Sequence, residues 1–197
     1  MSEIWAIVLA AGESKRMKTP KMLLPFQGKT MIETVIYNIL IAGIENVIVV
    51  LGSGSDEILL VTGKLPVVHC HNENFKEGML SSVKKGFSCL PGSFDAVLVF
   101  PGDQPLISPT TTRMIISEYY KSGKGIVTPS FENKRGHPVL IDRKYRKDVE
   151  ILDEKNGLRS LALEFHDDVL EVFTGDPGIL KDFDTPEEYL NEVIKHK

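Results

Sequence analysis

Residues Ile4 to Lys21 read IWAIVLAAGESKRMKTPK. The run Ile4 to Leu9 is unbroken by polar residues, which suits a strand buried on both faces. It ends at Ala10-Ala11-Gly12, where small side chains let the backbone approach a ligand closely. Such a turn can aim its N–H groups at anionic oxygens. Arg16 and Lys21 then bring two permanent charges, one a planar fork for phosphate and the other a compact point charge. A strand, a small-residue turn and two cations suggest a triphosphate cradle. The same composition also suits a solvated basic loop.

Working outward, the pattern of Ile4 to Leu9 returns. Asn46 to Leu51, Val67 to His71, Ala96 to Phe100, Gly125 to Pro129, Pro138 to Asp142 and Val169 to Phe173 read as further strands. Helices are expected between them. Thr30 to Glu33 is a capping box opening a helix that ends at Gly43. Ser108-Pro109 is an N-cap with a proline at the first helical position. Ser55 to Thr62, Glu77 to Leu90, Asn156 to Phe165 and Pro186 to Ile194 carry helical spacing. Strands alternating with helices argue for an α/β fold with a mostly parallel sheet covered on both faces, a three-layer α/β/α sandwich. Ligands of such sheets bind beyond the carboxyl ends of the strands. Attention therefore falls on the segments after Leu9, Leu51, His71 and Phe100.

The chain has 197 residues, 42% of them apolar and 25% charged, which fits one globular domain. The 23 Lys and Arg against 27 Asp and Glu leave a net charge of −4. That argues against a general nucleic-acid binder. Two cysteines, Cys70 and Cys89, are too few for a secreted disulfide framework. No signal-like segment opens the chain and no apolar run approaches the ~18 residues of a membrane span, so a cytoplasmic location is expected. The loop after the first strand lacks the Walker A spacing. Gly52-Ser53-Gly54 follows the second strand with Glu at position 57, which leaves the dinucleotide fingerprint incomplete.

The candidate metal ligands are carboxylates. Asp103, in Phe100 to Pro105 (FPGDQP), sits just past a buried strand on the expected ligand edge. A carboxylate there suits Mg²⁺, which takes one or two carboxylates with phosphate oxygens and water. Of Asp182 and Asp184, one is expected to share a metal with Asp103, and Thr185 or Asp184 to cap the helix beginning near Pro186. His69 and His71 lack the further ligands a metal site needs. Trp5, Met114, Ile115 and Tyr119 read as core, and Cys89 as a small buried hydrophobe.

Five segments in order resemble the MobA-like nucleotidyltransferases: LAAGESKRM with PKMLLP, NENFKEGMLSSVKKG (Asn72 to Gly86), PGDQP (Pro101 to Pro105), RGHPVL (Arg135 to Leu140) and DFDTPEEY (Asp182 to Tyr189). The chain is most similar to the molybdenum cofactor cytidylyltransferase branch. The resemblance implies a Rossmann-like nucleotide-diphospho-sugar transferase fold over residues 1–197, with a nucleotide-binding half at about 1–105 and an acceptor half at about 106–197. It implies transfer of CMP from CTP to a phosphorylated acceptor of molybdopterin type, with release of pyrophosphate. By carry-over, Leu9, Ala10, Ala11 and Gly12 line the nucleotide, Arg16 and Lys21 hold phosphates, and Gly78 and Ser82 approach base and ribose. Asp103 and Asp184 hold Mg²⁺, and His137 lies on the acceptor side. The alternatives are guanylyl transfer, a sugar-phosphate acceptor, or a non-catalytic carrier of nucleotide or cofactor for a molybdenum hydroxylase. Two departures stand out. Lys18 replaces a family glycine, and Glu154-Lys155-Asn156-Gly157-Leu158-Arg159 lacks the acidic partner of the family's G-D-x-G-x-R.

Overall fold

A computed structural model describes residues 3–14, 17 and 20–195. In chain order the first half runs β1 (Ile4–Ala10), β2 (Pro25–Phe26), β3 (Lys29–Thr30), α1 (Met31–Ile41), β4 (Asn46–Leu51), α2 (Ser55–Thr62), β5 (Val68–His71), α3 (Met79–Ser88) and β6 (Ala96–Pro101). The second half continues with α4 (Pro109–Ser122), β7 (Ile126–Phe131), β8 (Lys134–Arg135), β9 (Val139–Asp142), α5 (Arg146–Ile151), α6 (Arg159–Glu164), β10 (Val169–Phe173) and α7 (Pro186–Lys195). The main sheet has the order β10-β7-β9-β6-β1-β4-β5, with β8 paired to β7. β1 lies inside the sheet, parallel to both β4 and β6, with Ile7 opposite Ile48 on one side and Val99 on the other. β9 runs antiparallel to β6 and β7. Its first residues therefore reach the same edge as the carboxyl ends of β1, β4 and β6.

The apolar runs fold this way because side chains alternate across a strand. Ala6, Val8 and Ala10 face α1 and α4, packing with Ile32, Ile36 and Ile115. Ile7 and Leu9 face α3 and α5, packing with Val83, Phe87 and Val149. At Gly86 the helix α3 lies so close to the sheet that a Cβ there would stand 2.7 Å from Cγ2 of Ile7.

The expected caps are present. Thr30 and Glu33 form the reciprocal capping box of α1, and Ser108 accepts from the backbone of Thr111 at the start of α4. The late helix is shorter than expected, beginning at Arg159 after Gly157 takes a φ of +65°. The β2–β3 hairpin and α5 carry no clear periodicity. In α5 only Val149 of RKDVEI is buried. Cys89 is exposed at the C-cap of α3, because the helix ends before turning it inward. Ile115 is fully buried, while Trp5, Met114 and Tyr119 are half-buried at the margins of the core.

Candidate active site

The carboxyl edge of the sheet gathers the small-residue turn, Asp103, His137 and the C-terminal Asp182-Phe183-Asp184. Each arrives by a different connection. The turn after β1 is clamped on two sides. The Ser53 N–H donates to the Ala11 carbonyl (3.2 Å) and the Gly102 N–H to the Leu9 carbonyl (3.0 Å). Both clamps need glycine. A Cβ on Gly52 would stand 2.7 Å from the Cβ of Ala11 and 2.9 Å from its oxygen, and one on Gly102 would stand 2.8 Å from the oxygen of Leu9. The side chains of Leu9, Ala10 and Ala11 are buried, so these residues can line a ligand only with backbone atoms. Gly12 is exposed. The space between the two turns, lined by residues such as Gly12, Ser14, Pro20 and Ser53, amounts to about 30 Å³. That is room for about one water. Arg16 and Lys18 lie outside the described residues.

Lys21 is fixed at its backbone and ion-paired at its tip. Its N–H donates to Oγ of Ser14 (3.1 Å), a residue held at φ +50°, and its carbonyl accepts from Leu24 (3.1 Å). Its ammonium pairs with Oδ2 of Asp103 and with Oδ1 of Asp184, the latter at 2.9 Å. The three side chains are 14%, 14% and 29% exposed, so this ion triad is largely screened from solvent. Burial by itself would lower the lysine pKa. The two carboxylates more than offset that and hold it above its ordinary value. The Asp182 carboxyl is held above its ordinary value by partial burial and by the charge of Asp184, with Asp103 adding to the effect. Asp182 and Asp184 thus share one charged neighbourhood, while Phe183 between them is 2% exposed and points into the core.

Phe183 explains how a distant segment reaches this edge. Its ring packs on Phe26 of β2 (5.9 Å between centroids) and edge-on to Tyr189 of α7 (6.4 Å), and the Tyr189 hydroxyl donates to the Pro25 carbonyl (2.6 Å). Thr185 caps α7: its Oγ1 accepts from Glu188, whose carboxylate accepts from the N–H groups of Asp184 and Thr185.

His137 lies at the start of β9, its N–H bonded to the Ile179 carbonyl (3.2 Å). One ring nitrogen donates to the backbone of Val99, and the buried Nδ1 finds no hydrogen-bond partner among the described residues. Burial pushes its pKa below the ordinary 6.5 despite the opposing charge of Asp103, so the ring is neutral and Nδ1 is an acceptor. The buried Gln104 Oε1, next to Asp103 in the chain, is likewise without a partner among the described residues.

At the base of α3, Gly78 is exposed with φ +121°. Ser82 is buried instead. Together with Ser81 it accepts from Nδ2 of Asn72 (3.0 and 2.9 Å), a bolt between the end of β5 and α3. Asn72 opens the segment Asn72 to Gly86, but nothing in the sequence marks its amide as the link between strand and helix. His69 is satisfied by Oγ1 of Thr62 (2.8 Å). The divergent 154–159 segment is tied to α3, with Lys84 bonded to the Leu152 carbonyl (2.6 Å) and to Glu154 (2.9 Å).

Residues 6–169 match the MobA-like NTP transferase domain. The chain is 30% identical to nicotine blue oxidoreductase of Paenarthrobacter nicotinovorans over 152 residues, 74% of each chain. It is 30% identical to the bifunctional protein GlmU of Staphylococcus saprophyticus over 157 residues, 77% of this chain but 34% of that protein. A nucleotidyl transferase from Methanothermobacter superposes with a TM-score of 0.84 at 25% identity, covering 98% and 97% of the two chains. Rv0371c of Mycobacterium tuberculosis superposes at 0.85 with 23% identity, covering 98% of each chain. Its manganese complex superposes at 0.74 with 22% identity, covering 98% of this chain and 99% of that one.

Proposed function

The chain belongs to the MobA-like NTP transferase family, and from that premise we propose that it moves CMP from CTP onto a phosphorylated acceptor of molybdopterin type, releasing pyrophosphate. The observation that carries the proposal is the ion triad of Lys21, Asp103 and Asp184 beside the clamped Gly12 turn. The phosphate oxygen of the acceptor bonds to the α-phosphorus of the nucleotide. The bond from that phosphorus to the oxygen bridging toward the β-phosphorus breaks, and pyrophosphate leaves with the electron pair. An acceptor phosphate is mostly ionised at neutral pH, its second pKa being about 6, so no strong general base is required.

The residues present fit a hard divalent ion such as Mg²⁺. Asp103 and Asp184 offer oxygen donors already brought to one cation, and among the described residues no cluster of three or more His, Cys, Asp or Glu could hold a metal alone. Phosphate oxygens and water would complete the shell. Such an ion supplies neutralisation of charge at the reacting and leaving phosphates. Lys21 adds a further cation at that edge, the Gly12 turn positions the triphosphate, and Arg16 is assigned to the same phosphates. Gly78 at the start of α3 faces the nucleoside, and Ser82 supports it through Asn72. His137, whose buried acceptor nitrogen lies within the field of Asp103, belongs to the acceptor half.

Pyrophosphate release measured with CTP, GTP, ATP and UTP, with Mg²⁺ and a molybdopterin-type acceptor, tests this reading. Turnover with CTP that falls about a hundred- to a thousandfold in Asp103→Asn, in a protein that melts normally, supports it; the range matches losses from removing one electrostatic contact to a transition state. Turnover with GTP alone moves the protein to guanylyl transfer. No pyrophosphate with any nucleotide makes it a carrier of nucleotide or cofactor.

A further inference from the structure

The Lys21 ammonium stands between two carboxylates, the same two that would hold a divalent cation. We propose that Lys21 is the resident counter-cation of this site. It keeps Asp103 and Asp184 together and keeps a metal out until the phosphates of a nucleotide draw the ammonium away. The inference rests on the assignment of Asp103 and Asp184 as metal ligands.

Three observations carry it. One ammonium contacts both carboxylates, so the pair is not free to receive a second cation while Lys21 is in place. A divalent ion at those oxygens would stand against a like charge a few ångströms away in a poorly solvated pocket, where repulsion is weakly screened. The backbone of Lys21 is pinned through Ser14 and Leu24, so exchange needs only rotation about the side-chain bonds. Finally, the neighbouring turn is where the nucleotide phosphates are assigned. An ammonium released from the carboxylates finds a new anionic partner there. Metal and nucleotide then bind with positive coupling, and the coupling is reciprocal: each raises the affinity for the other by the same factor.

The test is binding of Mn²⁺, followed by the paramagnetic resonance of the free ion, without turnover. Wild-type protein, Lys21→Met and Lys21→Arg are titrated with and without a non-hydrolysable CTP analogue. Wild type is expected to bind Mn²⁺ at least about tenfold more tightly with the analogue than without it. Lys21→Met is expected to bind Mn²⁺ alone at least about tenfold more tightly than wild type, and to lose most of the dependence on nucleotide. Lys21→Arg, which keeps the charge, is expected to bind it as weakly as wild type. Lys21→Gln serves the same purpose if Lys21→Met melts below the assay temperature. Binding to Lys21→Met no tighter than to wild type overturns the proposal. Asp103→Asn separates the two levels of the argument. If it abolishes nucleotide-dependent Mn²⁺ binding while Lys21→Met shows no gain, the metal assignment stands and the counter-cation falls. If Mn²⁺ binding survives Asp103→Asn, both fall.

Discussion

Phe183→Ala is expected to disconnect Asp184 from the site while most of the fold survives. Phe183 is 2% exposed in a small cluster with Phe26 and Met31, flanked by Leu24, Leu106 and Tyr189, apart from the two main cores. Truncating a fully buried Phe to Ala costs about 3–5 kcal/mol, of which each aromatic pair contributes about 0.5–1.5 kcal/mol. Here the loss falls on the docking of one segment. Beyond Phe183 that segment is held by the Tyr189 hydroxyl on Pro25 and by the partly exposed pair of Lys21 with Asp184. At about 1.4 kcal/mol per factor of ten, the undocked population should rise by about two to three and a half powers of ten. Limited trypsin digestion under native conditions reads this directly, because cleavage after Lys181 tracks the open population when opening is fast. The initial rate of that cut should rise by the same factor. Activity should fall to the level of Asp184→Asn, and Phe183→Leu should recover most of both. A cleavage rate and turnover unchanged from wild type would refute the idea that this ring positions Asp184.

Gly52→Ala places a methyl carbon against backbone and Cβ atoms of Ala11 that cannot step aside. Overpacking of this kind costs about 1–3 kcal/mol; urea unfolding should show that loss together with weakened nucleotide binding, and full stability would mean the two turns are not clamped as described. His137 is neutral in the folded protein with its pKa below the ordinary 6.5. As pH falls through 6.5 the unfolded chain takes up a proton that the folded chain refuses, so stability declines until the folded-state value is reached. Melting curves between pH 7.5 and 5 should fall less steeply for His137→Gln than for wild type, and parallel curves would contradict the burial of this ring. Burial and the neighbouring Cys89 thiol hold the Cys70 thiol well above its ordinary value, whereas Cys89 is exposed. Thiol labelling at pH 8 should therefore modify Cys89 first, and equal rates would refute it.

The sheet was legible because its strands are buried on both faces. Ile4–Ala10, Asn46–Leu51 and Ala96–Pro101 are apolar on every side of the pleat, so no periodicity had to be decoded and only the ends were open to error. The caps were legible for a related reason. Thr30 with Glu33, and Ser108 with Pro109, act through backbone groups within a few residues. What depends on contacts across the chain was less accessible. Asp103 could be placed at the ligand edge from the strand before it, but its ammonium partner comes from a loop more than 80 residues earlier and its carboxylate partner from 81 residues later. Of Asp182 and Asp184, the sequence leads one to expect a single carboxylate at the site. In the folded chain the residue that decides is Phe183, whose burial against Phe26 turns the charges on either side of it toward one neighbourhood. The alternation of an aromatic between two aspartates is local, but the partner of that aromatic is set by where the β2–β3 hairpin lies. Ser82 shows the converse. The resemblance points it at base and ribose, whereas in the folded chain its buried hydroxyl accepts from Asn72. A motif therefore locates a segment more securely than it assigns an atom. The chemistry of this edge follows from the pairing of three segments that only the fold brings into contact.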